Sequence, residues 1–322
     1  MAAIDLSARG LSVLAEGTGF RRGPLEKAVR LVGLLEAIAE DDFLRGRVVL
    51  KGGTALNLFL ARPARLSIDA DLDYVGSVER EGMLRERPAV VAQLLKLGGS
   101  LGYRGALKRE PYALSEFRFR YASTTGSDEF LKVDLNFLER VPILGRIEWR
   151  PCSLDIPGER VAVACLPANE VAGQKLGTLC LRGAPRDLFD VARFRDIALD
   201  AAVVRKVALF NGFLGSLDLS AFDPSLAHRI TQRDIDDKVS PLLLNHEVAP
   251  RDELLKRANV WTESLLPLEA GERSFAADLL KGLFVPRALF APTEVNPRLG
   301  DHPGMKLRLQ GPERAAPNSD RA

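Results

Sequence analysis

Apolar residues recur at helical spacing through Leu25, Ala28, Val29, Leu31, Val32, Leu34, Leu35 and Ile38, so the chain from Pro24 predicts an amphipathic helix. The period then changes. Val48-Val49-Leu50 is a short continuous apolar run, read as a buried strand, and it leads into Gly52-Gly53-Thr54 and a short apolar helix from Ala55 to Ala61. From Arg65 to Tyr74 the period is two: Arg65, Ser67, Asp69, Asp71 and Asp73 fall on one face of a strand, and Leu66, Ile68, Leu72 and Tyr74 on the other. Helical spacing returns over residues 82–98, and Phe117 to Tyr121 alternates as a half-exposed strand. In residues 130–137, Leu131, Val133, Leu135 and Phe137 share one face while Lys132, Asp134 and Asn136 share the other.

Residues 151–167 read as a strand with connectors, and beyond them the pattern is helical. Helices are predicted over residues 169–181, then over 186–199 with Pro185 at the first turn after a Gly183-Ala184-Pro185 break, and over 201–213, 231–239, 251–258 and 273–283. Residues 1–20 are interrupted by Gly10, Gly17 and Gly19 and give no clear period. The expected fold is α+β: a mixed sheet flanked by helices in residues 1–165, then a mainly helical domain in residues 166–300, the two forming a bilobed molecule. Residues 301–322 are polar and read as a disordered tail. No internal repeat is visible.

Length and charge narrow the options. The chain has 322 residues, ample for a large core, and a formal charge of +2, so net charge carries no general signal for polyanions. A nucleic-acid surface must come from local clusters, for which Arg104, Lys108, Arg109, Arg118 and Arg120 on one side and Arg193, Arg195, Arg205 and Lys206 on the other are candidates. Cys152, Cys165 and Cys180 are too far apart for a metal-binding pair and read as buried thiols, and with 3 histidines a His-based zinc site is not expected. The N-terminus lacks signal-peptide character, and no apolar run approaches the roughly 20 residues that span a bilayer. A cytoplasmic protein without membrane contact is expected.

The chemistry is concentrated around the glycine pair and the acidic strand. Asp69 and Asp71 lie two residues apart on one face and repel unless a cation sits between them. Oxygen ligands of this kind suit Mg²⁺, which takes one or two carboxylates and fills its shell with water and phosphates. Backbone N–H groups after a Gly-Gly turn form an anion site at a helix start. Asp134, on a neighbouring strand, offers a third carboxylate. The plainer readings are a simple turn and solvated strand edges, and Asp73 itself is read as solvated or helix-capping. Lys175 alone reads as a solvated helix residue. Asp187 and Asp190 read as favourable charge near a helix N-terminus, worth about 0.3–1 kcal/mol.

A Gly-Gly turn, a helix, Asp-x-Asp on a strand and a later strand with a third Asp resembles the polymerase-β-like nucleotidyltransferase superfamily. Lys51-Gly-Gly-Thr-Ala-Leu56 with Arg65-x-Ser67-x-Asp69-x-Asp71-Leu72 is closer still: it resembles the AbiEii/AbiGii group, which includes the MenT-type nucleotidyltransferase toxins. Asn169-Glu-Val-Ala-Gly-Gln-Lys175-Leu, Arg182 and Arg186-Asp187-Leu-Phe-Asp190 are similar to that family's later motifs, so the likeness spans roughly residues 45–195. The resemblance implies that Gly52, Gly53 and Thr54 hold nucleotide phosphates, that Asp69 and Asp71 ligate Mg²⁺ (or Mn²⁺), that Lys175 contacts the triphosphate and that Asp190 completes the catalytic set. Arg65 and Ser67 are expected to reach phosphates, with Arg186 and Asp187 in support. Asp134 and Asp190 compete for the place of third carboxylate and general base. The implied function is a toxin of a toxin–antitoxin or phage-defence pair that adds NMP from NTP to an RNA 3′ end, above all the tRNA acceptor end, blocking aminoacylation and translation, with a cognate antitoxin as partner. Two alternatives stand beside it: the same chemistry on a small-molecule or protein hydroxyl, and a non-catalytic nucleotide- or RNA-binding scaffold.

Overall fold

The structure, a computed structural model, describes residues 5–245 and 247–311. It begins with helices Ala8–Thr18 (α1) and Arg22–Glu40 (α2), then strand Val48–Lys51 (β1), a single helical turn Gly52–Ala55 (α3) that widens into a π turn over Leu56–Leu60, and strand Asp69–Tyr74 (β2). Helix Arg80–Ser100 (α4) follows, then strands Arg104–Arg109 (β3), Leu114–Ala122 (β4), Asp128–Asn136 (β5), Glu148–Arg150 (β6) and Val163–Cys165 (β7). The remainder carries helices Ala168–Arg182 (α5), Pro185–Ala192 (α6), Ala201–Gly215 (α7), Gln232–Lys238 (α8), Arg251–Thr262 (α9), Ala270–Leu280 (α10) and Pro303–Leu309 (α11).

The strands form one mixed seven-stranded sheet in the order β3-β4-β5-β2-β1-β7-β6. β2 lies antiparallel to β1 and parallel to β5, and this central trio sets the site. Period-two alternation gives the sheet two unlike faces. Leu50, Leu72, Val133, Phe117, Phe119 and Tyr121 are buried on one face. α2 and α4 cover it: Arg30 of α2 stacks on Tyr121, and Phe119 lies against Gly98 of α4. The other face is polar and carries the acidic residues of β2. No helix among the described residues is long and apolar enough to cross a membrane.

Several sequence expectations are corrected. Residues 8–18 are helical although glycines interrupt them: Ser7 caps the start by accepting the Gly10 N–H, Gly19 ends it at φ +75°, and Leu11 and Leu14 anchor it. The acidic strand pairs only from Asp69, because Arg65 and Leu66 are bonded instead to Leu243 and Leu242. β3 has no apolar alternation to reveal it, being an edge strand that is mostly exposed. The helix expected over 186–199 stops at Ala192 and gives way to a 3₁₀ turn. The tail read as disordered from residue 301 is instead ordered as far as residue 311. His302 caps α11 by accepting the Met305 N–H at 3.2 Å, its ring meets Phe210 edge-on at 5.4 Å, and Met305 is fully buried. Seven residues with one buried methionine are too short for periodicity to show. The rest of that predicted tail, residues 312–322, lies outside the described residues.

Candidate active site

β1 ends at Lys51, and Gly52 turns the chain at φ +68° into α3. A side chain there would be strained, and a Cβ would stand 2.5 Å from a carboxyl oxygen of Asp71. At Gly53 a Cβ would fall 3.0 Å from the Arg65 guanidinium and 3.5 Å from Lys175 Nζ. The two glycines therefore let the backbone lie between an acidic strand and a cationic helix. Thr54 is fully buried; its hydroxyl shares a hydrogen bond with Ser67 Oγ at 2.8 Å and meets the Asp69 carbonyl, which accepts. Thr54 and Ser67 thus tie α3 to the root of β2, which is a bracing position and not an open one.

On the sheet, the parallel register sets Asp71 opposite Asp134 and Asp69 opposite Lys132. Asp69 is 43% exposed, and Arg186 of α6 approaches it at 3.5 Å. Burial raises the Asp71 carboxyl above the usual range; Lys51 and Lys175 pull it back, while Asp134 and Asp69 push it further up. Lys132 holds one oxygen of Asp134 at 2.7 Å, but Asp134 Oδ1 is buried without a hydrogen-bond partner. A buried oxygen of this kind is costly unless something occupies the space before it. Among the described residues no group of three or more Asp, Glu, His or Cys side chains is placed to hold a metal ion. The donor chemistry of two neighbouring carboxylates, Asp69 and Asp71, is of the kind Mg²⁺ takes when water and substrate phosphates fill the rest of its shell.

The helical wall is a buried ion network. Arg65, 1% exposed, grips Asp190 through two bonds of 2.8 and 2.7 Å, and Asn57 donates to the same carboxylate at 3.0 Å. Lys175 of α5 reaches Asp187 at 2.7 Å and Asp190 at 3.0 Å, and Arg182 meets Asp187 at 2.9 Å. Burial alone would lower the Lys175 pKa, but Asp187 and Asp190 outweigh it and the ammonium is stabilised. Burial would raise Asp190, yet Arg65 and Lys175 hold it down to about 2. Three cations against two carboxylates leave this wall net positive, facing the acidic strand across the glycine turn.

The fold brings together Gly52, Gly53, Asp69, Asp71, Asp134, Lys175, Arg186 and Asp187. Arg65 lies beside the Gly53 turn, but its guanidinium is buried and engaged by Asp190. Asp73, read as solvated or capping, is 2% exposed and pairs with Lys51 at 2.7 Å, while Lys51 also meets Glu139 at 2.6 Å. Asn57 and Lys51 were missed. A lone asparagine in the apolar run Ala-Leu-Asn-Leu-Phe-Leu was a readable sign of a buried polar task; Glu139 offered no sign. Of the basic clusters, Arg118 shares a cross-strand row with Lys132 and Asp69, and Arg104 faces Arg120 in the next row. Arg205 and Lys206 are tied to Glu272 and Glu294.

Comparison with known proteins adds an independent finding. The family described as "Nucleotidyl transferase AbiEii toxin, Type IV TA system" matches residues 33–264. Among solved structures, MenT4, a nucleotidyltransferase toxin from Mycobacterium tuberculosis H37Rv, is similar with a TM-score of 0.61 at 20% identity, covering 83% of this chain and 93% of that one. JHP933 from Helicobacter pylori matches at 18% identity with a TM-score of 0.40, covering 81% of this chain and 99% of that one. No curated protein matches the chain by sequence.

Proposed function

The chain belongs to the AbiEii family of nucleotidyltransferase toxins, and from that premise we propose that it transfers a nucleoside monophosphate from an NTP to the 3′ hydroxyl of an RNA, the tRNA acceptor end foremost, so that aminoacylation and translation stop. The observation that carries this reading is the confrontation of the β2 carboxylates with Lys175, Arg182 and Arg186 across the Gly52-Gly53 turn. One wall suits a divalent cation and the other a polyphosphate.

In this reading Asp69 and Asp71 would hold Mg²⁺, and Asp134 lies in register with Asp71 on the neighbouring strand. A bound divalent ion there supplies charge that stabilises the attacking and leaving oxygens of an in-line displacement. The acceptor 3′ oxygen bonds to the α-phosphorus, the bond from that phosphorus to the α–β bridging oxygen breaks, and pyrophosphate leaves. The hydroxyl proton passes to a nearby acceptor, and Asp134 suits this role better than Asp190. The Asp190 carboxylate is sealed behind Arg65, Asn57 and Lys175, and a group held near pKa 2 is a weak base. Asp190 and Asp187 instead position Lys175, whose charge meets the triphosphate as negative charge grows on it. Gly52 and Gly53 would offer backbone N–H groups to phosphate at a turn where neighbouring side chains leave no room for a Cβ at Gly52 and little at Gly53. Arg186 exchanges Asp69 for phosphate when nucleotide enters, and Arg118 and Lys132 guide the acceptor backbone along the open sheet face. The cognate antitoxin completes the pair.

The test is transfer of label from each α-³²P NTP to total tRNA with Mg²⁺, by the wild type and by Asp69→Ala. Labelling by one or two NTPs that the variant abolishes supports the reading. Nucleotide turnover without RNA labelling would move the acceptor to another hydroxyl, and no nucleotide binding would refute catalysis.

A further inference from the structure

A cavity of about 440 Å³ lies where the start of α4, the segment just after β5 and α11 meet. It falls within the range typical of small-molecule sites, roughly 300–1,000 Å³. The catalytic carboxylates do not line it. Leu138 forms part of its wall, and Leu138 follows Asp134 by four residues, at most about 14 Å along an extended chain. The floor is apolar, from Val78, Leu138 and Leu307, and Tyr112 stands at the side, 40% exposed.

The rim charge is specific. Arg80 lies over the Tyr112 ring at 5.6 Å, is exposed, and among the described residues has no carboxylate partner. Lys306 of α11 is exposed on the same rim. The two rim acids are already matched: Glu79 by Arg298 at 2.6 Å, and Asp301 by Arg298 at 3.2 Å and Lys306 at 2.8 Å. With Arg298 counted, cations exceed acids. α4 also begins at this rim, and its N-cap residue Glu79 makes no capping bond with its side chain. An apolar slot with a partly exposed tyrosine, and over its ring a guanidinium without a carboxylate partner, suits a flat ring bearing an anion.

We propose that this cavity is a second nucleotide site, distinct from the catalytic one, in which a base stacks on Tyr112 and its phosphate meets Arg80 and Lys306. Stacking on an aromatic side chain combined with arginine contact is how unpaired bases are commonly held. The ligand is either a free mononucleotide or an unpaired nucleotide of an RNA strand. In both cases the recognised chemistry is the same.

Photo-crosslinking tests this directly. Full-length Asp69→Ala protein, which should not turn nucleotides over, is irradiated with 4-thiouridine 5′-monophosphate or with a short single-stranded RNA carrying one 4-thiouridine, and adducts are mapped by mass spectrometry. Adducts on Tyr112 or its neighbours in the cavity are expected. They should fall about fivefold to a hundredfold in Tyr112→Leu, and also fall in Arg80→Ala/Lys306→Ala, whose exposed positions leave the melting temperature unchanged. Adducts from the monophosphate identify a free-nucleotide site, and adducts from the oligonucleotide alone identify a strand subsite. No adduct here with either probe, or adducts indifferent to both variants, overturns the proposal. None of these readouts depends on whether the catalytic site transfers nucleotides to RNA.

Discussion

Replacing Asp190 with asparagine is the sharpest perturbation of the helical wall. The side chain keeps its shape and loses its charge, while Arg65 and Lys175 stay buried around it. The carboxyl falls from an ordinary 3.8 to about 2 on folding. A proton is therefore bound more weakly in the folded state than in the unfolded chain. The resulting stabilisation is fully present above about pH 4 and is lost as pH falls through 2. A difference of almost two pKa units corresponds to about 2.5 kcal/mol. The asparagine mimics the protonated carboxyl at neutral pH, so it forfeits at least that amount. Leaving a buried cation uncompensated costs about 3–5 kcal/mol in comparable pairs. The expected loss is about 2.5–5 kcal/mol, read by urea denaturation followed by circular dichroism at pH 7. The acid limb of wild-type stability between pH 4 and 2 should shrink in the variant. A loss under about 1 kcal/mol, or an unchanged acid limb, would refute the account of Asp190 as the keystone of a buried ion network.

Other positions give contrasting outcomes. Asp71→Asn removes a buried carboxylate whose pKa is raised by burial, so ionisation there opposes folding above the unfolded value near 4; the variant should melt no lower than wild type without Mg²⁺ yet transfer no nucleotide. Gly52→Ala places a methyl against Asp71 in a left-handed backbone, costing about 1–2 kcal/mol by thermal melt and abolishing label transfer. Burial holds His302 down to about 4 from 6.5. Unfolding takes up its proton below 6.5, so stability should decline from pH 6.5 to 4 by up to about 3 kcal/mol, and His302→Asn should flatten that limb in urea titrations at pH 7.5 and 5.

How much could be read beforehand depended on the range of the interactions. The Asp69 and Asp71 face was legible because strand alternation is local and a carboxylate pair is conspicuous on it. The adjacency of Asp134 was legible only as an expectation, since β2–β5 pairing spans about sixty residues of chain. The Arg65 pairing was not legible because its motif position says nothing about a partner 125 residues away at Asp190. Asp73, read as solvated or capping, is instead buried: alternation gave the correct face, but burial of that end of the face comes from Lys51 and Glu139. β3 and α11 escaped notice because one is an exposed edge and the other is a short segment whose order comes from docking on α7.

The long reach of the Arg65–Asp190 clasp also orders events in time. A ribosome adding about 5–20 residues per second finishes the carboxylate strand some 6–24 s before it supplies Asp190, and α11 later still. Throughout that interval the acidic half of the site exists without its cationic wall. A product truncated before residue 175 would carry the β2 carboxylates without Lys175, Arg182 or Asp190, and should transfer no label from any NTP.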